Sequence, residues 1–219
     1  MVSLNKLIAI ILLQIIGGWI MSPGKGSHAS AAAGIGTETD TDAFTRANAN
    51  PLDGNWTTNI SDNPFQLSSN TAIPQNIGVD SVNIRTGTWG ADQFSAAKIT
   101  VTGSGVGTGP GVAVRCATAS QTYYRLVVDA SGNFELAKFV SGSYSSLRTG
   151  TLSYSAGTEL ALSVSGSSTA VIKIWYGGSQ VGADYNDSSS PITTGNPGLS
   201  YSSASSTAIV DDWRGGTVP

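Results

Sequence analysis

Charge is scarce in this chain. Asp, Glu, Lys and Arg together make up 11% of it, against roughly 25% in an average soluble domain. The 11 Lys and Arg face 14 Asp and Glu, for a formal net charge of −3. Nucleic-acid binding rests on clustered cations that neutralise phosphates, and that class is excluded. The single cysteine, Cys116, leaves no disulfide framework and no Cys-based zinc site. The single histidine is His28. What fills the chain instead is Ser, Thr, Asn and 27 Gly around a 40% hydrophobic fraction. That fraction is enough for a packed core under an uncharged polar surface.

Long apolar runs are also missing beyond the first residues. Leu7–Ile20 (LIAIILLQIIGGWI) follows Lys6 and precedes Ala29-Ser30-Ala31. A basic start, an apolar centre and an A-x-A site form a secretory signal. The run is interrupted at Gln14 and Gly17-Gly18 and is shorter than the roughly 20 residues of a membrane span. Residues 1–31 are therefore expected to be removed, leaving an extracellular or cell-surface protein without a membrane anchor; the alternative is a leader retained as an anchor. The cut takes His28 with it. Ser-His-Asp and Cys-His catalysis and His-ligated metals then fall away.

Residues 32–42 are small and polar with no apolar period, and are expected to be a flexible lead-in. The domain is expected over 43–219. Short alternating runs recur there: Ser81–Thr86, Phe94–Thr102, Gly111–Thr118, Tyr123–Asp129, Phe134–Val140, Leu147–Tyr154, Glu159–Val164, Ala170–Tyr176, Val181–Asp184 and Ala208–Trp213. Gly-, Ser- and Asn-rich turns separate them, and no helical period is sustained. This spacing predicts an all-β, two-sheet antiparallel sandwich. The period of two places Val112, Val114, Cys116, Tyr124, Leu126 and Val128 inward. It places Ala113, Arg115, Tyr123, Arg125, Lys173 and Trp175 outward.

Three stretches stand in order along the domain. Phe44-Thr45-Arg46 precedes Pro51-Leu52-Asp53-Gly54-Asn55-Trp56. Thr194-Gly195-Asn196-Pro197-Gly198-Leu199 comes late, and Ile209-Val210-Asp211-Asp212-Trp213 closes the chain. Over roughly 43–215 the sequence resembles the concanavalin A-like lectin/glucanase superfamily, particularly the LamG-like modules of bacterial surface and phage proteins. The resemblance implies a jelly roll with adjacent first and last strands, and sugar binding on a concave outer face or at a rim. Trp56 and Trp213 sit in the opening and closing motifs and are expected in the core, and Arg46 is expected to be a structural hydrogen-bonding residue rather than a ligand contact.

Hydrolases of that superfamily carry a Glu-x-Asp-x-x-Glu strand, and the motif is absent here: Glu38, Glu135 and Glu159 are the only glutamates. Lyase relatives use a histidine, also absent from the mature chain. A non-catalytic protein is expected, with a lyase or hydrolase as the least favoured class.

A sugar site needs an aromatic plate and directed polar groups. Trp175, Arg115, Arg125, Tyr123 and Lys173 are candidates if their strands adjoin, and Trp89 is a rim candidate from its loop, Thr86-Gly87-Thr88-Trp89-Gly90. The plain alternative is cross-strand pairing and solubility. The resemblance also implies a structural calcium near the last strand. Asp211 or Asp212 would hold it, only one of the two because they alternate, with Asp184, Asn186 and Asp187 as a second loop. Solvated acidic turns are the alternative at both places. Asn55, Asn59 and Asn186 begin glycosylation sequons. The sequence thus predicts a secreted carbohydrate-binding module whose partner is a polysaccharide or glycan. The rival reading is an adhesive or structural surface or virion module without sugar binding.

Overall fold

A computed structural model describes residues 34–58, 63–202 and 207–219. The signal at 1–31 and the sequon at Asn59 lie outside them. The described residues form strands, turns and loops, with no helix among them. Two antiparallel sheets face one another.

The first sheet runs β13 (Ser179–Gln180), β12 (Ala170–Tyr176), β11 (Thr158–Ser165), β6 (Gln93–Thr102), β16 (Thr207–Thr217), β4 (Thr71–Pro74), β3 (Phe65–Ser68). β1 (Thr37–Asp42) joins it on β16, and β14 (Tyr185–Asp187) on β12. The second sheet runs β10 (Ser143–Thr151), β9 (Asn133–Val140), β8 (Tyr123–Val128), β7 (Gly109–Cys116), β15 (Asn196–Ser202), β5 (Ser81–Arg85), β2 (Trp56–Thr58).

The alternation explains the core. Leu160, Leu162 and Val164 of β11 and Ile172 and Ile174 of β12 meet Val112, Val114, Tyr124, Leu126 and Leu136 from the opposite sheet. All ten are buried. Trp56 and Trp213 close one end, ring centroids 5.0 Å apart and edge-on at 74°. Arg46 takes the structural role: its guanidinium donates to Asp42 at 2.7 Å and to Asp53 at 2.6 Å.

Three expectations are corrected. The lead-in is not a flexible segment throughout, since Thr37–Asp42 is a strand on β16, with Thr37 opposite Thr217. Its hydrogen bonds come from the backbone ladder, which needs no apolar face, and Asp40 and Asp42 find cationic partners inside the fold. Val181–Asp184 is a loop between two short strands, β13 and β14. Cys116 is buried, but not in the inner core. It packs with Val82, Ile84, Ala113, Tyr123, Ala137 and Phe139 on the other face of the second sheet. The cause is a bulge: Arg115 sits at φ 51°, and the β15–β7 register slips between Asn196 and Gly198. One extra residue reverses every side chain after it.

Candidate functional site

The six sugar-site candidates do not share a face. Lys173 and Trp175 lie on β12 in the first sheet, and Tyr123 and Arg125 on β8 in the second. The core separates the pairs. Trp175 donates its indole N–H to Ser163 Oγ at 3.0 Å. Gly34 backs onto its ring, where an added Cβ would stand 3.6 Å from the indole. Lys173 lies 3.8 Å from Asp184.

Tyr123 and Arg125 are buried in the second-sheet cluster. Tyr123 stacks on Phe139 at 4.6 Å, and Arg125 lies 4.8 Å over the same ring. Arg125 pairs with Asp80 at 2.9 Å and approaches Glu135 at 3.9 Å. Tyr144 donates to that same Glu135. Burial pushes the Tyr123 phenol up from its ordinary value.

Arg115 points the opposite way from its sequence expectation. The bulge turns it between the sheets, fully buried, where it donates to the carbonyls of Ala91, Ile192 and Gly166 at 2.8, 2.5 and 2.7 Å. It ties three loops at one end of the sandwich. Burial pulls its pKa down.

Trp89 lines a depression at the surface. The depression, of about 260 Å³, is lined by Thr39, Asp40, Thr86, Gly87, Thr88 and Trp89. It is somewhat smaller than the roughly 300–1,000 Å³ of drug-sized pockets. Two elements build it. One wall is the loop after β5. Trp89 is half-buried there, edge-on to Trp213 at 6.2 Å, and its N–H donates to Thr86 O at 3.1 Å. Asn196 fastens the same loop through Arg85 O at 2.7 Å and Gly87 O at 3.2 Å.

The other wall is β1. Its ladder pairs Glu38 with Gly216 and Asp40 with Gly215, so Thr39 is the extra residue of a bulge. Bulges commonly re-aim side chains beside sites. Arg85 fixes Asp40 with two bonds, Nε to Oδ2 at 2.7 Å and Nη2 to Oδ1 at 3.0 Å. The Arg85 guanidinium is buried between Trp56 and Trp213, 5.2 and 5.4 Å from the ring centroids. Its remaining nitrogen reaches Asp42 at 3.4 Å. Burial pushes the Asp42 carboxyl up, but hydrogen bonds from Trp56, Arg46 and the Phe44 N–H outweigh it and hold it below its ordinary value. An indole, a positioned carboxylate and three threonines therefore meet at one rim.

Thr39 and Asp40 are the lining residues that the sequence reading passed over. A signal was present: Thr37-Glu38-Thr39-Asp40-Thr41-Asp42 alternates a β-branched residue with an acid at every step.

The calcium candidates find other partners. Asp212, at a bulge of β16 and with φ 46°, accepts from Lys98 at 2.7 Å. Asp187 accepts from Lys138 at 2.7 Å and Tyr124 at 2.6 Å, and Asp184 from Gln180 at 2.7 Å. Among the described residues no three His, Cys, Asp or Glu side chains group as a metal site. Asp211 and Asp212 supply two carboxylates, and a calcium ion takes six to eight oxygens, backbone carbonyls among them.

No protein-family model matches the chain, and no curated protein matches it. Solved structures do. The carbohydrate-binding module CBM66 from Bacillus subtilis is 18% identical, with TM-score 0.59, over 74% of this chain and 96% of that one. The exoplasmic/lumenal domain of VIP36, in a Ca2+/Man3GlcNAc-bound form, is 11% identical, with TM-score 0.51, over 75% and 84%. A β-glucanase from Bacillus licheniformis is 9% identical, with TM-score 0.54, over 84% and 99%. All three have the concanavalin A-like jelly-roll fold, and this chain shares that fold.

Proposed function

We propose that this chain is a secreted carbohydrate-binding module without catalytic activity. The observation that carries the reading is the rim depression. Trp89 offers an aromatic plate, Asp40 a hydrogen-bond acceptor held in place by Arg85, and Thr39, Thr86 and Thr88 offer hydroxyls. Stacking and directed bonds to hydroxyls are what saccharide recognition requires. Two of the jelly rolls it resembles are named as a carbohydrate-binding module and as a glycan-bound form. The absence of a Glu-x-Asp-x-x-Glu strand supports the non-catalytic reading.

The test is binding of the chain to a broad array of glycans and polysaccharides, with calcium present because the VIP36 form is Ca2+-bound. A hit lost in Trp89→Ala and kept in Trp175→Ala supports the rim site. A hit unchanged in Trp89→Ala removes it. Silence across the array favours an adhesive or structural module, the reading that the half-buried Trp175 behind Gly34 supports.

A further inference from the structure

We infer that the depression beside Trp89 selects a sugar bearing a free amine, of the 2-amino-2-deoxyhexose class; this rests on the carbohydrate reading of the same site. The first ground is charge. No Lys or Arg lines the depression. Arg85, the cation bonded to its wall, is buried and spent on Asp40 and Asp42. Arg46 is spent on Asp42 and Asp53. In that chain of ion pairs three carboxylates meet two guanidiniums, so the wall keeps a net negative charge.

The second ground is the count of donors. An ionised carboxylate has about four acceptor positions. Asp40 uses two on Oδ1, from Arg85 and the Thr41 N–H, and one on Oδ2, from Arg85. Its Oδ2 therefore has capacity left, and its side chain is one-third exposed at 33%. The side-chain N–H donors nearby are taken: Trp89 by Thr86 O, Asn196 by Arg85 O and Gly87 O. The side chains of the depression thus present an acceptor in Asp40, with threonine hydroxyls that turn either way.

An ammonium matches this set. It brings three donors and a positive charge to the carboxylate, and an indole face attracts a cation through its quadrupole. A neutral sugar has only its hydroxyls to offer. A uronate or sulfate brings like charge to Asp40 and meets no cation in the lining.

The experiment is calorimetric titration of the intact chain with three tetrasaccharides: β-1,4-linked glucosamine, its N-acetylated form, and galacturonate. The expected result is at least tenfold tighter binding of the free amine than of the acetylated form, and no binding of galacturonate. The advantage shrinks with added salt and disappears in Trp89→Ala and in Asp40→Asn. If Asp40→Asn lowers the melting temperature by loosening Arg85, Trp89→Ala and the salt series carry the test. Equal or tighter binding of the acetylated or acidic oligomer, abolished by Trp89→Ala, overturns the amine preference and leaves the glycan site standing. An amine preference that persists in Trp89→Ala overturns the inference, because attraction to a net-negative protein then explains it. Absence of any Trp89-dependent binding overturns both.

Discussion

Arg85→Met removes the charge on which the rim is built while keeping a side chain of similar length between Trp56 and Trp213. The loss has two parts. Breaking one partner out of a buried ion pair costs about 3–5 kcal/mol, and a cation over an aromatic ring contributes about 0.5–2 kcal/mol. The full range does not apply here. Asp42 keeps its bonds to Arg46 and Trp56, and Asp40, with 33% of its side chain exposed, regains water. A loss of about 3 kcal/mol remains. Domains of this size lose about 2–4 °C per kcal/mol, so the melting temperature falls by about 6–12 °C. Urea unfolding of the wild type, Arg85→Met, Asp42→Asn and the double variant measures it. The double variant loses less than the two singles together, by about 1–2 kcal/mol, because one interaction is counted twice. A loss below about 1 kcal/mol for Arg85→Met, or strict additivity, refutes the claim that this guanidinium holds the two walls together.

Acid destabilises the fold through carboxyls held below their ordinary value of 3.8, namely Asp42, Asp129 and Asp187. In each, burial raises the pKa and hydrogen bonds more than reverse it; for Asp187 the leading donors are Lys138 and Tyr124. The folded state then binds fewer protons than the unfolded one, so the stabilisation is complete above that value and lost as pH falls below it. Urea midpoints at about pH 6 and about pH 3 will show the drop, and equal midpoints contradict it. Gly216→Ala places a Cβ 2.0 Å from Thr37 O and 2.7 Å from the Phe94 ring. It is expected to lift β1 off β16 and weaken glycan binding together with stability; an unchanged melt and unchanged affinity refute it. Lys138→Met removes the 2.7 Å cationic partner of Asp187 but leaves it the Tyr124 hydroxyl and the Ser189 N–H; a loss of about 3 kcal/mol is expected, read from the urea midpoint, and a cost under about 1 kcal/mol shows that the pair contributes little.

The strands from β5 to β12 were legible because their apolar residues alternate and their turns are rich in Gly and Ser. β1 was not, because its alternation is between Thr and acids and carries no apolar signal. β2, β3 and β4 are too short to show a period, and β15 is masked by Asn196-Pro197-Gly198 at its start. Alternation says which side chains share a face of one strand but not which sheet the strand joins. Tyr123 and Arg125 were therefore grouped with Lys173 and Trp175 across a core. It also assumes no bulge, and Arg115 and Cys116 reversed for that reason. Trp89 was legible from its glycine-flanked loop. Asp40 was not, since its role depends on Arg85, 45 positions away along the chain.

The pairing of β1 with β16 has a mechanical consequence. The two run antiparallel, with Thr37 opposite Thr217, so the domain's incoming and outgoing chain leave from the same end of one ladder. A pull on both would load its hydrogen bonds one after another, from Thr37–Thr217 inward, instead of shearing them together. Thr37–Thr217 and Glu38–Gly216 would yield first, and the Asp40–Gly215 pair beyond the Thr39 bulge would follow. Tension along the chain would therefore open the rim before it disturbed the core, and a ligand gripped there would be let go while the sandwich was still folded.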